Sequence, residues 1–231
     1  MSIERHKQVK CPKCGHMIDV TVWDSVNVQM NPEMKKEIVD GVFGNVDCPE
    51  CGLEIHIAND FLYHDMKEHR LVYCTTGDDE QIEKWKKNTG DLIETVGKKY
   101  TSKMNGYEYR IVRNLDELRE KILIWDMGYD DCVMEVMKSF TLCGIPKEKL
   151  HEFNPEEVLF YKEPGKDAMF IMINKKGEQM GCSFINDVYD SIMMTHGDFI
   201  ASQKTGEPEI IDLEWGFKIM QKIMDKKNVF H

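Results

Sequence analysis

Cys11-Pro12-Lys13-Cys14-Gly15 and Cys48-Pro49-Glu50-Cys51-Gly52 are one five-residue word, C-P-x-C-G, written twice. Two cysteines separated by two residues can turn both sulfurs toward one ion, with backbone N–H groups of the tight turn aimed at them. Proline fixes φ at about −65° inside the turn, and glycine after the second cysteine supplies the positive φ that closes it. Two complete knuckles give four thiolates, which is the tetrahedral shell of structural Zn²⁺ with Zn–S of about 2.3 Å. The sequence therefore predicts Cys11, Cys14, Cys48 and Cys51 as ligands of one Zn²⁺ per chain. Four protein ligands leave no open coordination position, which disfavours metal-assisted hydrolysis. The same shell holds iron in rubredoxin, an electron carrier, and spacing does not separate the two metals. A zinc thiolate site can also eject its ion and close disulfides, so a thiol redox switch stays open. A thioredoxin-type reading is disfavoured, because its active cysteine opens a helix after a strand. Here strands are expected after each cluster.

The thirty-three residues between Cys14 and Cys48 have room for strand, helix and strand. Ile18-Asp19-Val20-Thr21-Val22-Trp23 alternates apolar and polar side chains, as a half-buried strand does. Asn31-Pro32 offers a cap and a proline for the first helical position of a short helix ending near Asp40-Gly41. Strands are expected over 42–47, 53–57, 61–63 and 70–73, the last two as a hairpin, giving a small antiparallel sheet. Residues 79–87 are helix-prone, and the polar stretch to Ser102 reads as connecting structure. A strand over 107–112 follows. Asn114 with Glu117 three residues later marks a helix start, and Leu115, Leu118, Ile122 and Trp125 give it one apolar face. Gly128 ends that helix, and Asp130 or Asp131 begins the next, making a helical hairpin. Residues 143–155, rich in Pro, Lys and Glu, read as a linker. Beyond them come a meander over 158–161, 169–173 and 180–184 turning at Asn174-Lys175-Lys176-Gly177, a short helix over 187–194, a possible strand over 209–213 and a closing helix over 215–224. The expected fold class is α+β. A zinc ribbon with a helical hairpin spans 1–144, and a small α+β region spans 145–231.

The 231 residues allow one large domain or two modest ones. With 42% apolar and 31% charged residues, a buried core is within reach and wholesale disorder is not expected. The longest apolar stretches, such as 168–173, fall far short of the roughly 20 residues that span a bilayer. The segment Met1-Ser2-Ile3-Glu4-Arg5-His6-Lys7 leads into no apolar run of the secretory type. A cytoplasmic, non-membrane protein is the expectation, and in that reducing setting paired CxxC clusters favour metal over disulfides. Sixteen methionines read as flexible core filler. Net charge is −11, with −4 in residues 1–76 and −7 in 77–231. Neither part has the basic surplus that neutralising phosphates requires, so nucleic acid is not the expected partner.

The two C-P-x-C-G words, with Val20-Thr21-Val22-Trp23-Asp24-Ser25-Val26-Asn27 between them and Leu62-Tyr63-His64-Asp65-Met66 after them, resemble the CpXC family of bacterial and archaeal proteins. The helical stretch from Arg110-Ile111-Val112 through Lys121-Ile122-Leu123-Ile124 to Asp130-Asp131 shares in the resemblance, which covers about residues 5–140. It implies a metal-binding domain of unassigned activity and supports the four cysteine ligands without supplying a substrate.

The remaining candidates carry plainer readings. His64-Asp65, with His69 five residues on, could form an oriented base, but no nucleophile lies near, and a hairpin turn with surface polar residues is expected. His16 and His56 flank the knuckles, where supporting or surface roles are expected because the shell is already complete. Asp126, Asp130 and Asp131 could hold a cation, though acids at a helix start favour the positive end of the helix dipole. Cys182 shows no hydrolase elbow and reads as a buried free thiol. No GxGxxG, Walker-type loop or HExxH is present, which argues against an enzyme. The expected function is a zinc-stabilised binding or regulatory module with a protein partner. The alternatives are an iron electron carrier, a thiol redox switch, and an enzyme with its site in a cleft between the two parts.

Overall fold

A computed structural model describes residues 2–100 and 106–228, with side chains described over 2–89 and 106–226. It is an α+β protein folded as two compact units, Met1–Arg119 with Gly206–Glu209, and Glu120–Thr205 with Ile210–His231. No described helix is long and apolar enough to cross a membrane.

The first unit is built on strands β1 (Ile3–Lys10) and β2 (Met17–Asn27), helix α1 (Pro32–Asp40) and strands β3 (Asn45–Asp47), β4 (Glu54–His56), β5 (Phe61–Asp65) and β6 (Arg70–Cys74). Helix α2 (Asp79–Tyr100), strand β7 (Glu108–Val112) and the start of helix α3 (Leu115–Asp126) complete it. Five strands form one sheet in the order β1-β2-β5-β6-β7, and β3-β4 stand apart as a hairpin. The large sheet is mixed, because β2 pairs parallel with β5 and β6 parallel with β7. The stretches after β2 and β6 each hold a helix, and such crossovers return the chain in the same direction. Local alternation carries no record of this direction, so the sequence suggested antiparallel pairing throughout.

Strand β1 lies outside the sequence-based expectation. Its residues are exposed except Val9, which is half-buried, and it carries Glu4, Arg5, His6, Lys7 and Lys10. An edge strand wet on both faces has no apolar period to read. Residues 79–100 form one helix rather than a helix and a connector; the end of the expected connector, 101 and 102, lies outside the described residues. Asn31 precedes α1, yet its amide donates to Glu33 Oε1 at 2.9 Å and caps no backbone N–H. Asn114 does cap α3, its Oδ1 accepting the Glu117 N–H at 2.8 Å.

The second unit continues with helices α4 (Asp131–Gly144) and α5 (Lys147–Phe153), then strands β8 (Pro155–Tyr161), β9 (Met169–Asn174) and β10 (Gln179–Ser183). Helices α6 (Asn186–Ala201) and α7 (Leu213–Asn228) close it. The strands form the expected antiparallel meander in the order β10-β9-β8. Asn174 Oδ1 accepts the N–H groups of Lys176 and Glu178 and holds the turn between β9 and β10. The stretch read as a linker contains α5, and α6 runs past the expected 194. Residues 209–213 form no strand beyond one bridge, Arg110 to Glu209.

Helix α4 is buried on nearly every side, and Gly216 lets α7 lie against it. A Cβ at 216 would meet Glu135 O at 2.3 Å. Around α4 sits a charged set that a helical-wheel reading assigns to solvent. Glu120, Lys121, Asp131, Glu135 and Lys138 are each at most 4% exposed. Glu135 Oε1 accepts from Lys121 at 2.8 Å and Lys138 at 3.0 Å, and Lys138 reaches Glu120 at 2.5 Å. Half of the methionines also depart from the expected interior. Met17, Met30, Met66, Met127, Met169, Met193, Met194 and Met224 are all exposed.

Candidate metal centre

Each C-P-x-C-G word forms the tip of a hairpin, the first joining β1 to β2 and the second joining β3 to β4. The two tips repeat the same backbone bonds. Cys11 N–H donates to His16 O at 2.8 Å and Gly15 N–H to Cys11 O at 2.9 Å; Cys48 N–H donates to Leu53 O and Gly52 N–H to Cys48 O, both at 2.9 Å. Gly15 and Gly52 have φ of 79° and 65°, the positive values the turn requires. Gly44 shares that conformation just before β3, where a Cβ would meet Ile57 O at 2.9 Å.

Facing each other, the tips bring all four sulfurs within 4.8 Å of one another. Contacts run across the knuckles, Cys11 to Cys51 at 3.7 Å and Cys14 to Cys48 at 3.5 Å. A tetrahedron with arms of about 2.3 Å has edges of about 3.8 Å, so the group has the size to hold a metal ion. The first cysteine of each word is buried, Cys11 at 1% and Cys48 at 2% exposed, and packs with Ile18, Val20 and Val22. Cys14 is exposed and Cys51 half-buried.

Backbone N–H groups, burial and neighbouring sulfurs set Cys11, Cys14 and Cys51 apart from an ordinary thiol. The N–H of Cys14, aided by that of Lys13, points at the Cys11 sulfur and lowers its pKa to about 6. At Cys14 the His16 N–H favours the thiolate, but desolvation and the neighbouring sulfurs outweigh it and push the thiol up to about 12. Cys51 is raised in the same way, against the pull of the Leu53 N–H. Cys14 and Cys51 thus hold their protons more tightly than Cys11 does. A metal ion held by all four sulfurs would displace them.

Residues 9–138 match the family model described as CpXC protein. The chain belongs to the CpXC family. No curated protein matches it, and no solved structure does. The CpXC match takes in both knuckles, strands β2 to β7 and most of α4, leaves out most of β1, and stops before β8.

The other sequence candidates, all but Cys182 inside the CpXC region, fall outside the sulfur group. His56 Nδ1 lies 2.9 Å from Asn45 Oδ1, and the half-buried His16 faces Glu50 at 4.0 Å. His64 is half-buried on β5 rather than at a surface turn, with Nε2 2.9 Å from Tyr107 Oη, and burial lowers its pKa. His69 stacks on the same Tyr107 ring at 5.0 Å. Asp130 Oδ1 caps α4 by accepting from Cys132 and Val133 N–H, and its other oxygen accepts from Lys204 at 3.0 Å. Asp131 sits 3.7 Å from Lys121, and Asp126 is exposed. Cys182 is half-buried on a sheet edge, not buried.

Two adjoining cavities that no motif announced open beside the second hairpin. One, of about 220 Å³, is lined by Phe43, Phe61, Cys74 and Leu115 among others. The other, of about 400 Å³, adds Asn45, Glu54 and Arg119, and both share His56 and Asp116. Their walls come from residues near 43, 56 and 115, so no local spacing in the sequence marks them.

Proposed function

We propose that this protein is a zinc-stabilised binding module in which Zn²⁺ on Cys11, Cys14, Cys48 and Cys51 pins two hairpins together. The observation that carries the reading is the pair of cross-knuckle contacts, 3.7 and 3.5 Å, close to the edge of a Cys₄ tetrahedron. With four thiolates the shell is complete, so the ion's work is structural. Structural zinc contributes roughly 10–16 kcal/mol of apparent binding free energy to small domains, comparable with the whole stability of a domain, about 5–15 kcal/mol. The second hairpin, pinned in this way, supplies Asn45, Glu54 and His56 to the groove beside it. That groove mixes the apolar Phe43 and Leu115 with the charged Asp116 and Arg119, which suits a protein segment carrying an apolar anchor and a polar flank.

Elemental analysis of untagged protein tests the metal. About one zinc per chain supports the reading. Iron, with visible colour and a reversible one-electron couple, replaces it with electron transfer. Absence of metal with the four thiols paired replaces it with a redox switch. For the partner, affinity purification is compared between the native protein and Leu115→Asp. A protein retained by the first and released by the second supports the groove, and equal retention removes it.

A further inference from the structure

Among the described residues two sheets have three or more strands, and three of their four edges are guarded. The β1 edge carries five ionisable side chains in eight residues. Beside β7, the N–H of Ile111 donates to Glu209 O at 2.9 Å. On β8, the N–H of Phe160 donates to the buried carboxylate of Glu120. Strand β10, Gln179-Met180-Gly181-Cys182-Ser183, has no charge and no proline. Charge, proline or a covering element is how proteins keep sheet edges from pairing, and β10 has none of these among the described residues.

Its free hydrogen-bonding groups follow from its register. Phe184 N–H donates to Ala168 O and Asn174 N–H to Glu178 O, both at 3.1 Å. Gln179 stands opposite Ile173 and Ser183 opposite Met169. In an antiparallel ladder the residues that exchange bonds alternate, so even-numbered residues of β10 bond inward to β9. Gln179, Gly181 and Ser183 therefore turn N–H and C=O outward.

We propose that this edge pairs with a second copy of the chain, antiparallel about a two-fold axis at Gly181, joining two three-stranded sheets into one of six strands. In that register Gly181 meets Gly181 of the other copy and Gln179 meets Ser183, for up to about six backbone hydrogen bonds. A self-pairing strand sets each residue against a copy of its own segment, and like charges directly opposite are destabilising. A neutral strand with glycine on the axis avoids that penalty. Beyond the strand, the exposed Lys175-Lys176 turn of one copy, where Lys175 lies 3.5 Å from Glu156, comes toward the exposed Asp187 of the other, a complementary match made twice by symmetry. The edge also leads into exposed apolar side chains, Ile185 at 53% and Val188 at 39%, of the kind that mark association surfaces. The closed two-fold contact is isologous and stops at the dimer.

Sedimentation velocity on the full chain across a concentration series is the test. The native protein is expected at twice 27.0 kDa, with Gly181→Lys weakening association by about tenfold or more through two facing charges. Gly181 admits a side chain, because a Cβ there is in ordinary contact with the end of the Met169 side chain, Cε at 3.7 Å and Sδ at 3.8 Å, so Gly181→Ala is expected to remain dimeric. A native monomer at every concentration overturns the proposal, as does a dimer that Gly181→Lys leaves intact. Should Gly181→Lys fail to fold, Met180→Cys decides, since residue 180 stands opposite Cys182 of the other copy. With oxidised glutathione accepting the two electrons, each facing thiol pair loses its protons and closes an interchain disulfide. A covalent dimer that disappears when Cys182→Ser is added supports the proposal, and its absence overturns it.

Discussion

Cys11 gives up its proton at about pH 6 while Cys14 holds on to about 12, so loading a metal ion on all four sulfurs would release protons. Every ligand must be a thiolate in the complex. At pH 7.5 Cys14 and Cys51 each have a proton to lose, so at least two protons are expected to leave per ion bound. Below about pH 6 Cys11 is protonated as well, and the count should rise by one. Calorimetry in buffers of different ionisation enthalpy reads this number directly, and a count independent of pH would contradict the assignment. His64 gives a second pH effect. Its folded pKa is depressed by burial, so the unfolded chain binds the proton more readily. Stability from this residue is present above its ordinary value of about 6.5 and is lost as pH falls through that value toward the folded one. His64→Gln is expected to flatten the slope of stability against pH in that window, as measured by denaturant titration.

Among the elements, the knuckle hairpins and the α4–α7 pair depend on glycine for opposite reasons. Gly15 and Gly52 need a positive φ, which the C-P-x-C-G word announces. Gly216 needs only the absence of a side chain, since Glu135 O would lie 2.3 Å from its Cβ. Gly216→Ala should therefore destabilise the protein by about 1–3 kcal/mol through forced separation of the two helices, despite alanine's better helix propensity. Thermal unfolding with metal bound checks this, and a stabilised variant would show that α7 does not approach α4 so closely. The helix starts were legible where a side chain makes the cap, as Asn114 does for α3 and Asp130 for α4. At α1 the proline was the true signal, while the Asn31 amide turned to Glu33.

For the molecule as a whole, each unit contains a different polar cluster. The sulfur group lies at the tips of two hairpins in the first unit, whereas the five-stranded sheet there buries Val26, Phe61, Tyr63, Val72 and Ile111. Cys48→Ser is expected to abolish metal uptake and free the amides of β1 to β4, leaving those of β5 and β6 protected in hydrogen exchange. Uniform loss of protection across the unit would show that the metal holds the sheet as well. In the second unit the polar cluster is the buried set around Glu135. Burial alone would lower the Lys121 pKa, but Glu135, Asp131 and Glu120 outweigh it and raise it, so Lys121 serves as a charged partner at neutral pH. Lys138→Met leaves Glu120 and Glu135 short of a cation and should cost about 3–5 kcal/mol. Chemical denaturation measures it, and a loss within about 0.5 kcal/mol would mean that water reaches the site.

The sequence by itself determined the two knuckles, their four sulfurs and the family, because these depend on residue type at fixed short spacing. It also determined the α+β class and the meander, whose strands and turns follow from local alternation and from Asn174-Lys175-Lys176-Gly177. Tertiary structure alone decided the parallel pairings of β2 with β5 and β6 with β7, since strand direction depends on how a crossover packs. It decided that Glu120, Lys121, Glu135 and Lys138 are buried, because a charge can enter a core only with a partner from another turn or helix. It brought Phe43, His56 and Leu115 around one groove, and it left β10 uncovered. Each of these is a relation between residues far apart in the chain, and no local pattern of side chains encodes it.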